Sequence, residues 1–421
     1  MKHRALLILS LVLLMSPMVV MAEDVQLWPQ WRGPGRDCQI AAVDWPETLS
    51  GTSLTQTFRV PLGESYSGPI VSDQHVFVTE AVGKTEKVRA LDRFSGNEIW
   101  QVEWPASMTV PFFAASNGSW IRSTPAWAQG RLFVASMEDI LVCLDAADGR
   151  EIWRHDFRST FNTSNQSFGF VCSPLVVDGA VYVQTGAGLV KLSAETGTVI
   201  WRSLVEDGGM MGGAFSSPIM ATIRNTPQLV VQTRSRLVGV GPETGDELWS
   251  VNVPAFRGMN ILTPTVIGNR VFTSSYGGGS FMFEVSEADG SLTVSELWKA
   301  KNEGYMSSPV VVDGAICLHL RNQRFVCLDS DTGDVLWTTK PFGKYWSMVA
   351  NGNRVLVLDE RGDLLLLDLS RQKFTQLDAR HVSDTGTWAH VAIAGNQLFV
   401  RELNGLLAFR WSGLMPSGAA N

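Results

Sequence analysis

Cys327 to Trp337 reads CLDSDTGDVLW, and the fold follows from these residues. An apolar run from Arg324 to Leu328 stops at Asp329, Thr332-Gly333 makes a tight turn, and Val335-Leu336-Trp337 begins a second apolar run. That is a β-hairpin pattern. The Asp329 carboxylate can accept hydrogen bonds from turn amides, Gly333 supplies a positive φ, and apolar or β-branched residues flank both sides. The phrase recurs upstream as ALDRFSGNEIW (Ala90 to Trp100), CLDAADGREIW (Cys143 to Trp153), KLSAETGTVIW (Lys191 to Trp201) and GVGPETGDELW (Gly239 to Trp249). A stretched copy, EVSEADGSLTVSELW, ends at Trp298. From Trp100 the closing tryptophans step by 53, 48, 48, 49 and 39 residues. Repeats of this length belong to solenoids, arrays or propellers, and four short strands per repeat indicate propeller blades.

The repeated phrase resembles the tryptophan-docking motif of quinoprotein, PQQ-type β-propellers, A-x-D-x-x-T-G-x-x-x-W. The opening WPQWRGPGRD (Trp28 to Asp37) resembles the start of many uncharacterised bacterial PQQ-like repeat proteins. The resemblance is specific for fold and weakly specific for function. The same repeat is found in pyrroloquinoline-quinone dehydrogenases and in the non-catalytic propeller subunit of the β-barrel assembly machinery.

Blade openings rich in Ser, Thr and Pro allow a count. Ser67-Gly68-Pro69 opens blade one, Ser123-Thr124-Pro125 blade two, Cys172-Ser173-Pro174 blade three and Ser216-Ser217-Pro218 blade four. Thr263-Pro264 and Ser307-Ser308-Pro309 open blades five and six. Blade seven, from Ser347, keeps Leu364–Leu367 and Asp368 but lacks both the glycine and the tryptophan. Blade eight begins near Trp388 and ends one strand short. Thr55 to Pro61 reads like the tail of a docking phrase with Phe58 in the tryptophan position, and it is expected to supply that strand and remove two exposed sheet edges. The expectation is an all-β, eight-bladed propeller closed by an N-terminal strand, with seven blades if blade seven is a degenerate insert. Trp100, Trp153, Trp201, Trp249, Trp298 and Trp337 are expected to be structural docking residues that fill the wedge between blades.

The domain reading is a signal peptide at 1–22, an N-terminal segment packed on the propeller at 23–50, the propeller at 51–412 and a tail at 413–421. The basic start, the apolar run from Ala5 to Val20 and the small residues near Ala22 point to cleavage there and a periplasmic or secreted protein. No cysteine follows that site, so a lipoprotein-type anchor is not indicated, and no membrane span is expected after cleavage. Removing 1–22 takes away Lys2 and Arg4 and moves the formal charge from −7 to −9, which argues against a nucleic-acid or anionic-membrane binder. Trp28 to Pro34 should lie across one face as a plug, the alternative being a docking site for a partner. Cys38, Cys143, Cys172, Cys317 and Cys327 are read as buried fillers rather than disulfide partners. Their odd number leaves at least one free thiol.

Loops that lead into each blade opening converge on the funnel mouth, so candidate ligand-binding residues are Arg122, Asn165, Gln166, Asn260, Glu303, Lys344, Trp388 and His390. The quinoprotein resemblance implies a calcium ion held by Glu and Asn, an Asp base, a Trp floor and adjacent cysteines. Glu303, Asn260 and Trp388 match parts of that set, whereas the base, the cysteine pair and the long roofing insertions are missing. No catalytic residue, metal site or cofactor is therefore expected. The expected function is an exported, non-catalytic propeller that binds or scaffolds a protein partner of the cell envelope. The alternatives are a PQQ-dependent oxidoreductase using calcium, or a propeller that binds a small ligand or carbohydrate.

Overall fold

A computed structural model describes residues 26–40, 45–106, 108–206 and 213–411. The expected signal peptide, its cleavage site, 208–212 of the glycine-methionine loop and the tail at 413–421 lie outside the described residues. Eight four-stranded antiparallel sheets form an eight-bladed propeller. Blades one to seven are sequential: Ile70 to Pro105, Ala126 to Asp156, Leu175 to Ser203, Ile219 to Asn252, Thr265 to Ala300, Val310 to Thr338 and Trp346 to His381. In the eighth sheet Ala392–Ala394, Gln397–Glu402 and Gly405–Trp411 are followed by Leu54–Pro61 as the outermost strand. Leu54 pairs with Trp411 and Pro61 with Gly405, with a bulge between Gln56 and Phe58.

The hairpin turns carry the contacts between blades. In blade six the amides of Asp331 and Thr332 donate to Asp329 Oδ1 at 2.8 and 3.1 Å, and Gly333 sits at φ 77°. A bulge follows each residue paired with a docking tryptophan, as between Ala90, Cys143 or Cys327 and the leucine after it. The bulge turns the tryptophan toward the next blade. There it lies under the turn glycine: an added Cβ would come within 2.6 Å of Trp100 at Gly149, of Trp153 at Gly197 and of Trp298 at Gly333, and within 2.9 Å of Trp201 at Gly245. Phe58 meets Gly96 of blade one in the same way at 2.6 Å. Each indole N–H also donates to a turn carbonyl of the next blade: Trp100 to Ala146 (3.0 Å), Trp153 to Ala194 (3.1 Å), Trp201 to Pro242 (3.1 Å), Trp298 to Ser330 (2.9 Å) and Trp337 to Ser370 (2.8 Å). A tryptophan buries roughly 150–250 Å², on the order of 4–6 kcal/mol as an upper bound.

Trp249 departs from the pattern. Blade five has the longest hairpin, Gly279–Ala288 with Ser291–Ala300, and Gly290 at its tip meets no atom within 4 Å. With no glycine platform above it, the Trp249 indole donates to Gln228 Oε1 of its own blade at 2.5 Å.

Around the channel the Ser/Thr-Pro openings interlock. The amides of Gly68, Thr124 and Ser173 donate to the hydroxyls of Thr124 (3.0 Å), Ser173 (3.0 Å) and Ser217 (2.9 Å), each in the following blade. Thr263 donates likewise to Ser308 Oγ (3.1 Å), and Val391 donates back to Ser347 Oγ (3.1 Å). These groups are nearly all buried, so each bond satisfies a donor that water cannot reach.

The N-terminal segment runs through this channel. Trp28 and Val71 exchange backbone hydrogen bonds at 3.2 and 2.7 Å, Pro29 O accepts from Trp127 N at 2.7 Å, and the Trp31 indole donates to Thr263 Oγ1 at 3.0 Å. Arg32 reaches Pro309 O at 2.5 Å, and Arg36 reaches Pro174 O at 2.6 Å and Ser173 O at 2.9 Å. Both arginines are buried, and burial pushes the Arg36 guanidinium down to about 9. Cys38 and Ile40 pair with Ala350 of blade seven. All five cysteines are buried free thiols, with Cys317 and Cys327 directly opposite and their sulfurs 3.8 Å apart.

Removing the Trp298 ring should cost about 3–5 kcal/mol of unfolding free energy in urea through cavity formation. Gly333→Ala should also destabilise, because its Cβ would strike that ring at 2.6 Å and the φ of 77° disfavours a side chain. In the double variant Trp298→Ala/Gly333→Ala the collision is gone, so the loss should fall short of the sum. Strict additivity would show that the two residues do not dock.

Candidate functional site

The loops between blades place one set of residues at the mouth, and its dominant feature is aromatic. Four of the chain's five tyrosines lie here. Tyr66 and Trp388 stack with centroids 5.0 Å apart and planes 14° apart. Trp120 stands edge-on to Tyr66 at 5.1 Å, and Tyr345 tilts against Trp388 at 4.5 Å. The series continues through Tyr305 (6.2 Å from Tyr345), Tyr276 (5.4 Å) and Phe256 (5.2 Å). These seven rings form a crescent contributed by every inter-blade loop from four–five round to one–two, together with the blade-five turn that holds Tyr276. Six are half-buried and Phe256 is exposed. Cations rest on the rings, with Arg122 over Tyr66 at 5.4 Å, Arg321 over Tyr276 at 4.1 Å and Arg257 over Phe256 at 5.1 Å. Such a rim offers large rigid contact area with hydroxyl and indole tips for hydrogen bonds.

The eight sequence candidates fall into several environments. Arg122 and Trp388 come together on Tyr66, and the Arg122 guanidinium also donates to Gly118 O at 2.8 Å. Lys344 is exposed beside Tyr345 in the chain. Glu303 pairs with Arg321 at 3.5 Å, and the two border a side cavity of about 430 Å³ shared with Lys301, Asn302 and Asn322. Asn165 and Gln166 lie on the opposite arc, where Asn165 accepts from Arg158 (3.1 Å) and Gln166 donates to Asp139 Oδ1 (2.8 Å). Asn260 is buried and braces its loop through Arg234 O (3.0 Å) and Val253 O (3.2 Å).

His390 lies below the mouth, inside the plugged channel. Its Nδ1 faces Val391 O at 2.8 Å, its Nε2 faces Cys38 Sγ at 3.2 Å, and Trp28 and Trp31 pack on its ring. Burial pushes its pKa down to about 4, so the ring is neutral. Trp28, Trp31 and Cys38 cover most of it, and its remaining edge borders the throat beneath the mouth.

Of the seven rings only Trp388 was among the candidates; Tyr66, Trp120, Phe256, Tyr276, Tyr305 and Tyr345 were not. The available signal was the tyrosine one or two residues ahead of a blade-opening serine, as at Tyr66, Tyr305 and Tyr345. Asp139 was missed as well. It is fully buried between blades two and three, where it accepts from Gln166 Nε2 and from the Gly186 amide (3.0 Å), and desolvation raises it to about 6.

Among the described residues no three His, Cys, Asp or Glu side chains gather as a metal site. Beneath the crescent, Trp31, Tyr345, Trp346, Trp388 and His390 close the throat to a cavity of about 70 Å³. Pockets for drug-sized ligands run to roughly 300–1,000 Å³. Asn260 spends its Nδ2 on two carbonyls, while its Oδ1 is buried without a hydrogen-bond partner among the described residues.

Eight blades locked by tryptophans under turn glycines, around a filled channel, define a propeller of the PQQ-like repeat class. A family model described as outer membrane protein assembly factor BamB matches residues 84–339, and the chain belongs to that family. The BamB of Yersinia pestis is 23% identical over 358 residues, covering 82% of this chain and 84% of the relative. The crystal structure of BamB from Moraxella catarrhalis superposes with a TM-score of 0.64 at 16% identity, over 85% of this chain and all of the other. Quinohemoprotein alcohol dehydrogenase from Comamonas testosteroni also superposes with a TM-score of 0.64, at 14% identity, over 94% of this chain and 82% of the other. At these identities the structural matches speak for the fold alone.

The pKa of Asp139 makes stability pH-dependent in a defined window. The folded state holds the proton up to about 6 and the unfolded state releases it near 3.8, so this stability is complete below pH 3.8 and lost as pH rises through 6. Relative to Asp139→Asn, the wild type should lose roughly 2 kcal/mol between pH 4 and 7 in chemical denaturation. Parallel pH profiles for the two proteins would refute the assignment.

Proposed function

We propose that this chain is an exported, non-catalytic propeller of the cell envelope that holds a protein partner against its mouth crescent. Membership of the BamB family supports a role in outer membrane protein assembly, and the relatives are named for that process. The observation that carries the reading is the crescent from Trp120 to Phe256, with Arg122, Arg257 and Arg321 on its rings. Aromatic residues and arginine are the side chains enriched in protein interfaces and among their hot spots. Arg122, Trp388, Glu303 and Lys344 are the contact residues on this reading, whereas Asn260 braces the loop that carries Phe256 and Gln166 braces the opposite arc.

A quinone-dependent oxidoreductase is the weaker reading. Hydride transfer to a quinone requires a Lewis acid on its carbonyl and a base beside the substrate carbon. The throat cavity of about 70 Å³ is small beside the roughly 300–1,000 Å³ of sites for ligands of that size, which supports the binding reading over it.

The test is affinity capture from detergent-solubilised envelope with the tagged full chain, read by mass spectrometry. Tyr345→Ala and Trp388→Ala should each lower recovery of the principal partner about tenfold or more, the range of a hot-spot residue. The exposed outer-strand variant Val335→Ser should behave as wild type. Unchanged recovery with both mouth variants would remove the crescent from the interface. Calorimetric titration with pyrroloquinoline quinone and calcium should give no heat of binding, and submicromolar binding lost in Glu303→Ala would favour the oxidoreductase instead.

A further inference from the structure

The mouth carries a second aromatic feature outside the crescent. The loop between blades one and two forms a 3₁₀ turn, Phe112–Asn117, whose tip projects Phe112 with 91% of its surface exposed and Phe113 with 56%. Phe112 meets Phe113 edge-on, and Phe113, Phe168 and Phe215 continue across the loops of the next two blades. The base of the loop is fixed, because Val110, Ala114 and Ile121 are buried against Met137. An apolar tip on a rigid base retains its exposed aromatic surface, and such exposure marks an interaction site.

Two observations identify what the tip meets. First, no residue from Trp104 to Ile121 carries a charge, and no carboxylate occurs between Glu103 and Glu138. Arg122 closes the loop and has no carboxylate in salt-bridge reach among the described residues; its guanidinium reaches only Asn117 O, Gly118 O and the face of Tyr66. With that guanidinium turned inward on its own loop, the tip presents uncharged apolar surface with no carboxylate to repel a phosphate headgroup. Secondly, the loop satisfies much of its own backbone. Ala114 N donates to Pro111 O (2.8 Å), Gly118 N to Ala115 O (3.0 Å) and Val110 N to Ser119 Oγ (3.0 Å), and Arg122 caps two carbonyls. Entry into a medium without water requires this, since each orphaned N–H or C=O would cost several kcal/mol.

We propose that the Phe112–Phe113 tip inserts into the interfacial layer of a phospholipid bilayer and holds the mouth face of the propeller against that surface. The formal charge of −7 opposes a long-range pull toward anionic lipid, so the attachment is apolar and insensitive to salt. This goes beyond capture of a protein partner and does not depend on it. The crescent and the tip adjoin at the loop between blades one and two and extend from it in opposite directions round the mouth, so a partner held at a membrane surface and the membrane itself can be met together.

The test is flotation of the full chain with two kinds of vesicle, phosphatidylcholine alone and phosphatidylethanolamine with phosphatidylglycerol, at low and high salt. The wild type should float with both and keep doing so at high salt. Phe112→Ser, at a side chain too exposed to support the fold, should lower the bound fraction at limiting lipid about tenfold or more. Ala115→Asp, which adds a charge to the exposed turn without removing any packing, should do the same. Ile99→Ser, on an exposed outer strand, should float as wild type, and unchanged melting curves would exclude misfolding. A wild type that stays unbound overturns the proposal, as does a Phe112→Ser protein that floats normally. If instead Phe112→Ser abolishes capture of the envelope partner while the wild type ignores vesicles, the tip is a protein contact and the membrane assignment fails.

Discussion

The ring depends on one contact repeated between blades, an indole lying under the turn glycine of the next sheet with its N–H on that turn's carbonyl. Four β-strands cannot bury both of their own faces, so each blade needs its neighbours. The contact has an apolar part that excludes water and a directional part that fixes where the next turn sits. Glycine is required on the receiving side because any Cβ at Gly149, Gly197 or Gly333 would enter the indole. Where one half is missing, the other adapts. Phe58 docks without an N–H to offer, Trp337 reaches Ser370 O on a turn without a glycine, and Trp249 bonds inside its own sheet.

The interlocking hydroxyls and the plug do at the axis what the tryptophans do at the rim. The serines and threonines that open each blade look like loop residues in the sequence, yet they satisfy amides of the adjoining blade. The plug contributes two buried guanidiniums whose counterparts are carbonyls from blades three and six. Arginine suits this role because its fork of donors satisfies several carbonyls at once.

The propeller was legible from CLDSDTGDVLW and its copies because a repeat states its own neighbour relations; six blades were marked by proline-containing openings, and the last two were read from Ser347 and Trp388 without one. The functional face was legible only in part. Arg122, Lys344 and Trp388 were placed at the mouth because they directly precede blade openings, but Tyr66 meets Trp388 across more than three hundred residues, and no local pattern reports such a pairing. The surroundings of His390 were hidden for the same reason, since the sulfur and rings that enclose it come from Trp28, Trp31 and Cys38 at the far end of the chain. The small volume of the throat depends on a plug whose path no repeat encodes.

The placement of residues 28–61 also imposes an order on folding. Trp28 bonds to blade one, Cys38 to blade seven, and Leu54–Pro61 to Gly405–Trp411, the last described strand, so these early residues reach their places only after residues roughly 350 positions later have been made. Until then Trp28, Trp31 and an unpaired strand edge remain without their native cover, in a chain whose contacts are dominated by large sequence separations. Topologies of this kind fold slowly and expose aggregation-prone surface on the way. The rate at which the ring closes, more than the depth of its energy minimum, then governs how much of the protein survives its own synthesis.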